Sequence, residues 1–152
     1  MANKTVQEIK QGLADVLVTM TKADGYSKTI TKQQVHQHFS QRVVNDKSDA
    51  SYPKYFIVVE SGGGSKEPSG RILKMMKLWL VAITKKIAAD DPPAKVQIEL
   101  LADDFERLLM ANDTLNGTVE DVALEEYRMD AGEIAPEGAG IFKLSVTYFK
   151  QF

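Results

Sequence analysis

Between Val6 and Met20 the apolar residues fall at steps of three and four. Between Ile141 and Phe149 they fall at every second position. The first spacing is that of an amphipathic helix, the second that of a strand with one buried face. In the first segment Val6, Ile9, Leu13, Val16, Leu17 and Met20 form one stripe, with Gln7, Lys10, Gln11 and Asp15 outside it. Thr5 followed by Glu8 fits a capping box, so a helix is expected over residues 5–20, stopping near Asp24-Gly25. In the last segment Phe142, Leu144, Val146 and Tyr148 share one face, and Lys143, Ser145 and Thr147 the other.

The middle of the chain is patterned less evenly. Over residues 29–44, Val35, Phe39 and Val43 lie four apart, as on a helix. They also lie on one side of a period-two strand, with His36 and His38 opposite. Tyr55–Glu60 is aromatic and β-branched, bounded by Pro53 and Gly62, and reads as a strand. Ile72–Thr84 contains LWLVAI, apolar on both faces, which suits a buried strand or a buried helix. The strand before it favours a hairpin, at the expense of a long loop, Ser61–Gly70. Asp90-Asp91-Pro92-Pro93 reads as an aspartate cap followed by first-turn prolines. The helix behind it takes Val96, Leu100, Leu101, Phe105, Leu108 and Leu109 as its stripe. Gln97, Asp103, Asp104 and Arg107 are then expected to face water, and the helix to end by Asn112-Asp113. After the turn Leu115-Asn116-Gly117, Val119–Met129 alternates with a one-residue slip between Leu124 and Tyr127, the mark of a bulge. Ala131–Gly140 is expected as a second long loop. The order helix, strands, helix, strands implies one α+β domain over residues 1–152. Its two helices lie on one face of a mainly antiparallel sheet with long hairpin loops.

Composition narrows the function. The 152 residues are 43% hydrophobic and 26% charged, with net charge -2 and a pI near 5.7. That is ordinary for a globular domain and supplies no basic excess for a phosphate backbone. No cysteine is present, which removes disulfides, cysteine-ligated metals and thiol catalysis. The longest apolar run, Leu78–Ile83, is far short of the roughly 18 residues of a membrane span. The opening MANKTVQEIK has no apolar signal core. No internal repeat is evident.

The motifs that suggest chemistry do not complete it. Gly62-Gly63-Gly64 and Gly70 match neither G-x-x-x-x-G-K-[ST] nor G-x-G-x-x-G running into a helix, so the segment reads as an arm rather than a phosphate loop. His36 and His38 could share one side of a strand, but nothing specifies a third ligand, and two surface histidines are expected. Asp103, Asp104 and Glu106 diverge on a helix, where neighbours point about 100° apart. No serine sits in G-x-S-x-G. No catalytic residue, cofactor or metal is expected, and the chain does not read as an enzyme.

Two long loops on a small domain suggest surfaces for wrapping a partner. The string LADDFERLLMANDTLNGTVEDVALEEYRMDAGEIAPEGAGIFKLSVTYF resembles the tail-terminator (tail-completion, minor tail protein U-like) proteins of long-tailed bacteriophages. The similar features are the acidic-apolar helix Asp103–Met110, the turn with Asp113, Leu115, Gly117 and Val119, Asp130-Ala131-Gly132, and a last strand ending in Tyr148. Upstream, Pro53–Val59 and Met76–Thr84 also look like the family's strands. The resemblance tilts Ile30–Val44 towards strand and Ile72–Thr84 away from helix. It implies a virion protein, assembled in the host cytoplasm, that forms a homo-hexameric ring on the tail tube. The ring would stop tube polymerisation and face the head or neck connector. DNA would pass through without specific binding, and no membrane, cofactor or enzymatic activity is implied. On this view Gly63, Gly64, Lys66, Glu67 and Arg71 contact a neighbouring subunit or the tube, and Lys150-Gln151-Phe152 is a further docking candidate. Another neck component (a head–tail connector or stopper protein) and a binding module unrelated to phage are the alternatives.

Overall fold

A computed structural model describes residues 5–130 and 136–151. The fold is α+β. Strands β1 (Val35–His36), β2 (Lys54–Lys66), β3 (Arg71–Lys85), β4 (Asp121–Met129) and β5 (Glu137–Gln151) form one sheet in the order β1-β2-β3-β5-β4. Only the two-residue β1 runs parallel to its neighbour; every other pairing is antiparallel. Helices α1 (Val6–Leu17) and α3 (Ala94–Ala111) cover one face. The short α2 (Gln41–Asn45) packs against the other.

The main core lies between α1, α3 and the sheet. Ile9, Leu13, Val16, Leu17 and Met20 from α1 and its last turn meet Tyr55, Leu78, Leu80, Phe142, Leu144 and Val146. Phe105 stands edge-on to Phe142 at 4.8 Å and 90°, and to Tyr55 at 6.2 Å and 76°, the arrangement that aromatic quadrupoles favour. α3 lies directly on β5 because glycine leaves room there. A Cβ on Gly138 would stand 2.7 Å from the Ala94 carbonyl oxygen, and one on Gly140 2.7 Å from Ile98 Cγ2.

α1 starts as its sequence requires, with Thr5 Oγ1 accepting from the Glu8 amide at 3.1 Å. It ends at Leu17, well before Asp24. Thr19 Oγ1 donates to the Val16 carbonyl at 2.6 Å, and Thr21 starts a separate 3-10 turn that Gly25 closes at φ +89°. Residues 29–44 are not the expected strand. A 3-10 turn at Lys32–Gln34, the bridge β1 and α2 divide the segment. Ser40 Oγ caps α2 by accepting from the Val43 amide at 3.3 Å. Val43 and Val44 pack on Tyr52, Phe56 and Ile83. This segment also covers part of the polar side of α1. Gln37 bonds Gln7 at 2.6 Å and Gln11 at 2.5 Å, and Lys10, expected outside, is buried.

α3 is rotated relative to the expected stripe. Val96 and Leu100 point outward, 37% and 39% exposed, while Ile98 and Ala102 point in. Gln97, expected in water, is buried and donates to the Lys85 and Pro92 carbonyls at 3.3 and 2.9 Å. Asp104 is also buried; it accepts from the Ser27 amide at 3.0 Å and from the Ser27 hydroxyl. Arg107 lies over the Tyr26 ring at 4.0 Å. Polar groups can occupy a helix's inner face when hydrogen bonds replace their water. Asp91 is not the cap of α3. Its carboxylate accepts from the Ile87 and Ala88 amides at 3.2 and 2.9 Å, holding its own turn, and Pro93 occupies the cap position. Those bonds hold its carboxyl below the usual range.

The slip in β4 is real: its register on β5 shifts between Leu124 and Glu126. The expected loop Ser61–Gly70 is mostly strand, since β2 runs to Lys66 and pairs residue by residue with Ile72–Lys77. Of the second expected loop, residues 131–135 lie outside the described residues, and Glu137–Gly140 belongs to β5.

Candidate assembly surface

Past the Thr147–Asp121 pair, where β4 begins, the far ends of β2, β3 and β5 continue as a three-stranded arm. Gly64 lies opposite Lys74, and Lys74 opposite Tyr148. The tip is a tight turn: the Glu67 amide donates to the Arg71 carbonyl at 2.8 Å, the Gly70 amide to the Glu67 carbonyl at 3.0 Å, and Gly70 takes φ +83°. A left-handed residue at this corner favours glycine. The arm's backbone groups are paired along the ladder, and Met76 and Tyr148 at its base join the main core.

The five residues singled out from the sequence are therefore brought together on one element. Glu67 and Arg71 satisfy each other, with carboxylate–guanidinium distances of 3.0 and 3.1 Å, and Arg71 lies over the Phe149 ring at 3.7 Å. Gly64 is required by the hairpin itself, because a Cβ there would stand 2.5 Å from the Leu73 carbonyl oxygen. Gly63 is not: a Cβ there meets nothing within 4 Å. Lys66 and Lys74 form no ion pair with a described residue. Beyond Phe56, the outer edge of β2 has no strand beside it among the described residues.

On the opposite edge of the sheet, β4 and the end of α3 border a groove of about 360 Å³. Its acidic members are Glu106, Asp113 and Asp121, and its apolar members include Leu109, Met110 and Leu124. Met110 is 77% exposed. Sequence reasoning missed this groove. Its carboxylates come from a helix, a turn and a strand that only the fold brings together.

The sheet face away from α1 and α3 carries a smaller hollow of about 180 Å³ beside Trp79. Two of its charges, Glu60 and Lys143, are engaged with each other. Glu60 accepts from the Trp79 indole at 2.9 Å and lies 3.5 Å from Lys143, and Lys77 pairs with Glu125. The two histidines separate. His36 stacks on Phe56 at 5.3 Å, whereas His38 Nδ1 is 3.4 Å from Lys10 Nζ. Burial, and secondarily the Lys54 charge, lowers the His36 pKa.

Neither a protein-family model nor a curated protein sequence matches this chain. No helix among the described residues is long and apolar enough to cross a membrane. The geometry thus offers two surfaces of different character: a projecting arm with spare cations and an acidic groove at the opposite sheet edge.

Proposed function

We propose that this chain is a ring subunit that terminates the tail tube of a long-tailed bacteriophage and presents the surface to which the head or neck joins. The observation that carries this assignment is the strand-paired arm continuing beyond β4, with Gly63 open on one face and Lys66 and Lys74 without a described ion-pair partner on the other. The tail-terminator-like motifs of the C-terminal half support it. A head-to-tail ring needs one surface that gives and another that receives, and it closes when the rotation per subunit divides a full turn. The tube stops growing because the ring's outer face does not repeat the site on which a tube subunit docks. The balanced charge of the chain suits a ring through which DNA slides without being held.

Electron microscopy of the purified protein, alone and with tail tubes, tests the assignment. Six-fold rings on tubes of uniform length support it. Rings found only on heads make the chain a connector or stopper, and a chain that binds neither is a module of another kind. Deleting Gly63–Ser69 is expected to leave the α/β core folded, as read by far-UV circular dichroism, and to abolish capping.

A further inference from the structure

We infer that the arm of one copy, along Ser61–Lys66, seats in the acidic groove between α3 and β4 of a second copy. This docking deepens the ring assignment and rests on it. The two surfaces lie on opposite edges of one sheet, β2 and β4. A contact between them is therefore head-to-tail, and each copy keeps one arm and one groove for its neighbours.

The arm's glycines supply a second argument. Glycine inside a strand weakens it, and often marks close approach of another backbone. Gly62 and Gly63 have no such neighbour in their own subunit: the nearest atom to a Cβ on Gly62 is 3.8 Å away, and for Gly63 nothing lies within 4 Å. Neither is among the glycines with positive φ. The fold of one copy does not explain the bare stretch; a strand or helix laid against it from outside does.

Charge and apolar surface match as well. Lys66 and Lys74 share the helix-side face of the arm, by their register with Ile72 and Met76, and neither is ion-paired to a described residue. Glu106, Asp113 and Asp121 line the groove, with no described basic side chain paired to them. Ile72 shares that face of the arm and is half-buried, and Met110 beside the groove is 77% exposed. Unbranched thioethers of this kind adapt readily to a facing surface. β4 is an edge strand, so its outer backbone groups are available to an added strand.

The test reverses charge on one surface at a time. Lys66→Glu/Lys74→Glu and Glu106→Lys/Asp121→Lys alter exposed positions except at the half-buried Lys74, and circular dichroism checks that both variants fold. Sedimentation at low salt, where such contacts are least screened, reads the assembly. Each variant alone is expected to be monomeric under conditions in which the wild-type chain forms rings. Their mixture is expected to regain rings in which the two variants alternate, since native arm meets native groove at one junction and reversed arm meets reversed groove at the next, and the chain carrying all four changes is expected to regain rings by itself. Rings from either single-surface variant alone overturn the docking, as does a mixture that forms none, or a wild-type chain that stays monomeric both free and on tubes.

A cysteine pair gives an independent readout in this cysteine-free chain. Gly63 and Asp121 are separated by three strand steps, Gly63–Met75–Thr147–Asp121, roughly 14 Å at ordinary strand spacing. That is too far for a disulfide within one copy. Oxidised Gly63→Cys/Asp121→Cys protein is expected to run as a ladder up to the ring size, and either single cysteine variant no further than a dimer; no ladder counts against the docking. Rings indifferent to charge reversal would retire the docking and leave tube capping standing. Tubes left uncapped by a chain that still links head to tail would retire the tail assignment alone.

Discussion

Replacing Gly63 and Gly64 in turn by alanine should move the stability of the arm in opposite directions, although the residues are adjacent in one strand. At Gly63 a methyl group enters open space and the backbone is not left-handed. The unfolded chain loses freedom and the strand loses nothing, so the arm gains about 0.5–1 kcal/mol. At Gly64 the same gain is set against overlap with Leu73 O at 2.5 Å, Lys74 Cδ at 2.9 Å and Ile72 Cγ2 at 3.3 Å. The lysine can swing aside, but the carbonyl belongs to the paired strand and moves only with it. Overpacking of this sort costs about 1–3 kcal/mol, leaving a net loss of up to about 2 kcal/mol. The two variants should then differ by about 1–3 kcal/mol, or roughly 5- to 150-fold in an opening equilibrium. Amide hydrogen exchange on Val59–Met76 is the right assay, because it reads opening of the arm even when the core stays closed. Equal protection in the two variants, or better protection in Gly64→Ala, would refute the reasoning.

Two other expectations concern the small cluster beneath α2. Lys54 is fully buried, and its ammonium donates to the Val43 carbonyl at 2.7 Å and to those of Val44 and Asp46 while lying 4.3 Å from the Tyr52 ring. Lys54→Met keeps the aliphatic stem and removes the donor, for an expected loss of about 2–3 kcal/mol in chemical denaturation, with α2 exposed first to exchange. His36 has a lowered pKa in the fold against an unfolded value of 6.5. As pH falls past that value the unfolded ring takes its proton first, so stability drops just below pH 6.5 and levels once the folded ring is also charged. His36→Asn should flatten that step in melting temperature measured between neutral and mildly acidic pH.

The strands were legible where side chains alternated against a core. Phe142, Leu144, Val146 and Tyr148 announce β5, and the slip after Leu124 announces a register shift that the ladder contains. Gly62–Lys66 was not legible as strand, because its pairing depends on the backbone opposite and not on side chains of high strand preference. α3 was assigned correctly but in the wrong rotation. Val96 and Leu100 look like core residues until Ile98 is seen to face β5, and nothing local marks Gln97 and Asp104 for burial. Their partners, Lys85, Pro92 and Ser27, come from other segments. Likewise α2 is a single turn and a half, held by Lys54 from outside itself. The arm residues were found from the glycine run; the groove across the sheet had no sequence signal, since Glu106, Asp113 and Asp121 are ordinary surface acids until the chain brings them together.

β3 and β5 are each fifteen residues long and stay paired from Arg71–Gln151 to Lys85–Glu137. That is a beam of roughly 50 Å with no joint where it passes the start of β4. Force applied lengthwise at the tip is met by many ladder bonds loaded in parallel rather than by one hinge. A projection built this way transmits strain from its end straight into the middle of the sheet, so whatever grips the tip also has a mechanical hold on the body.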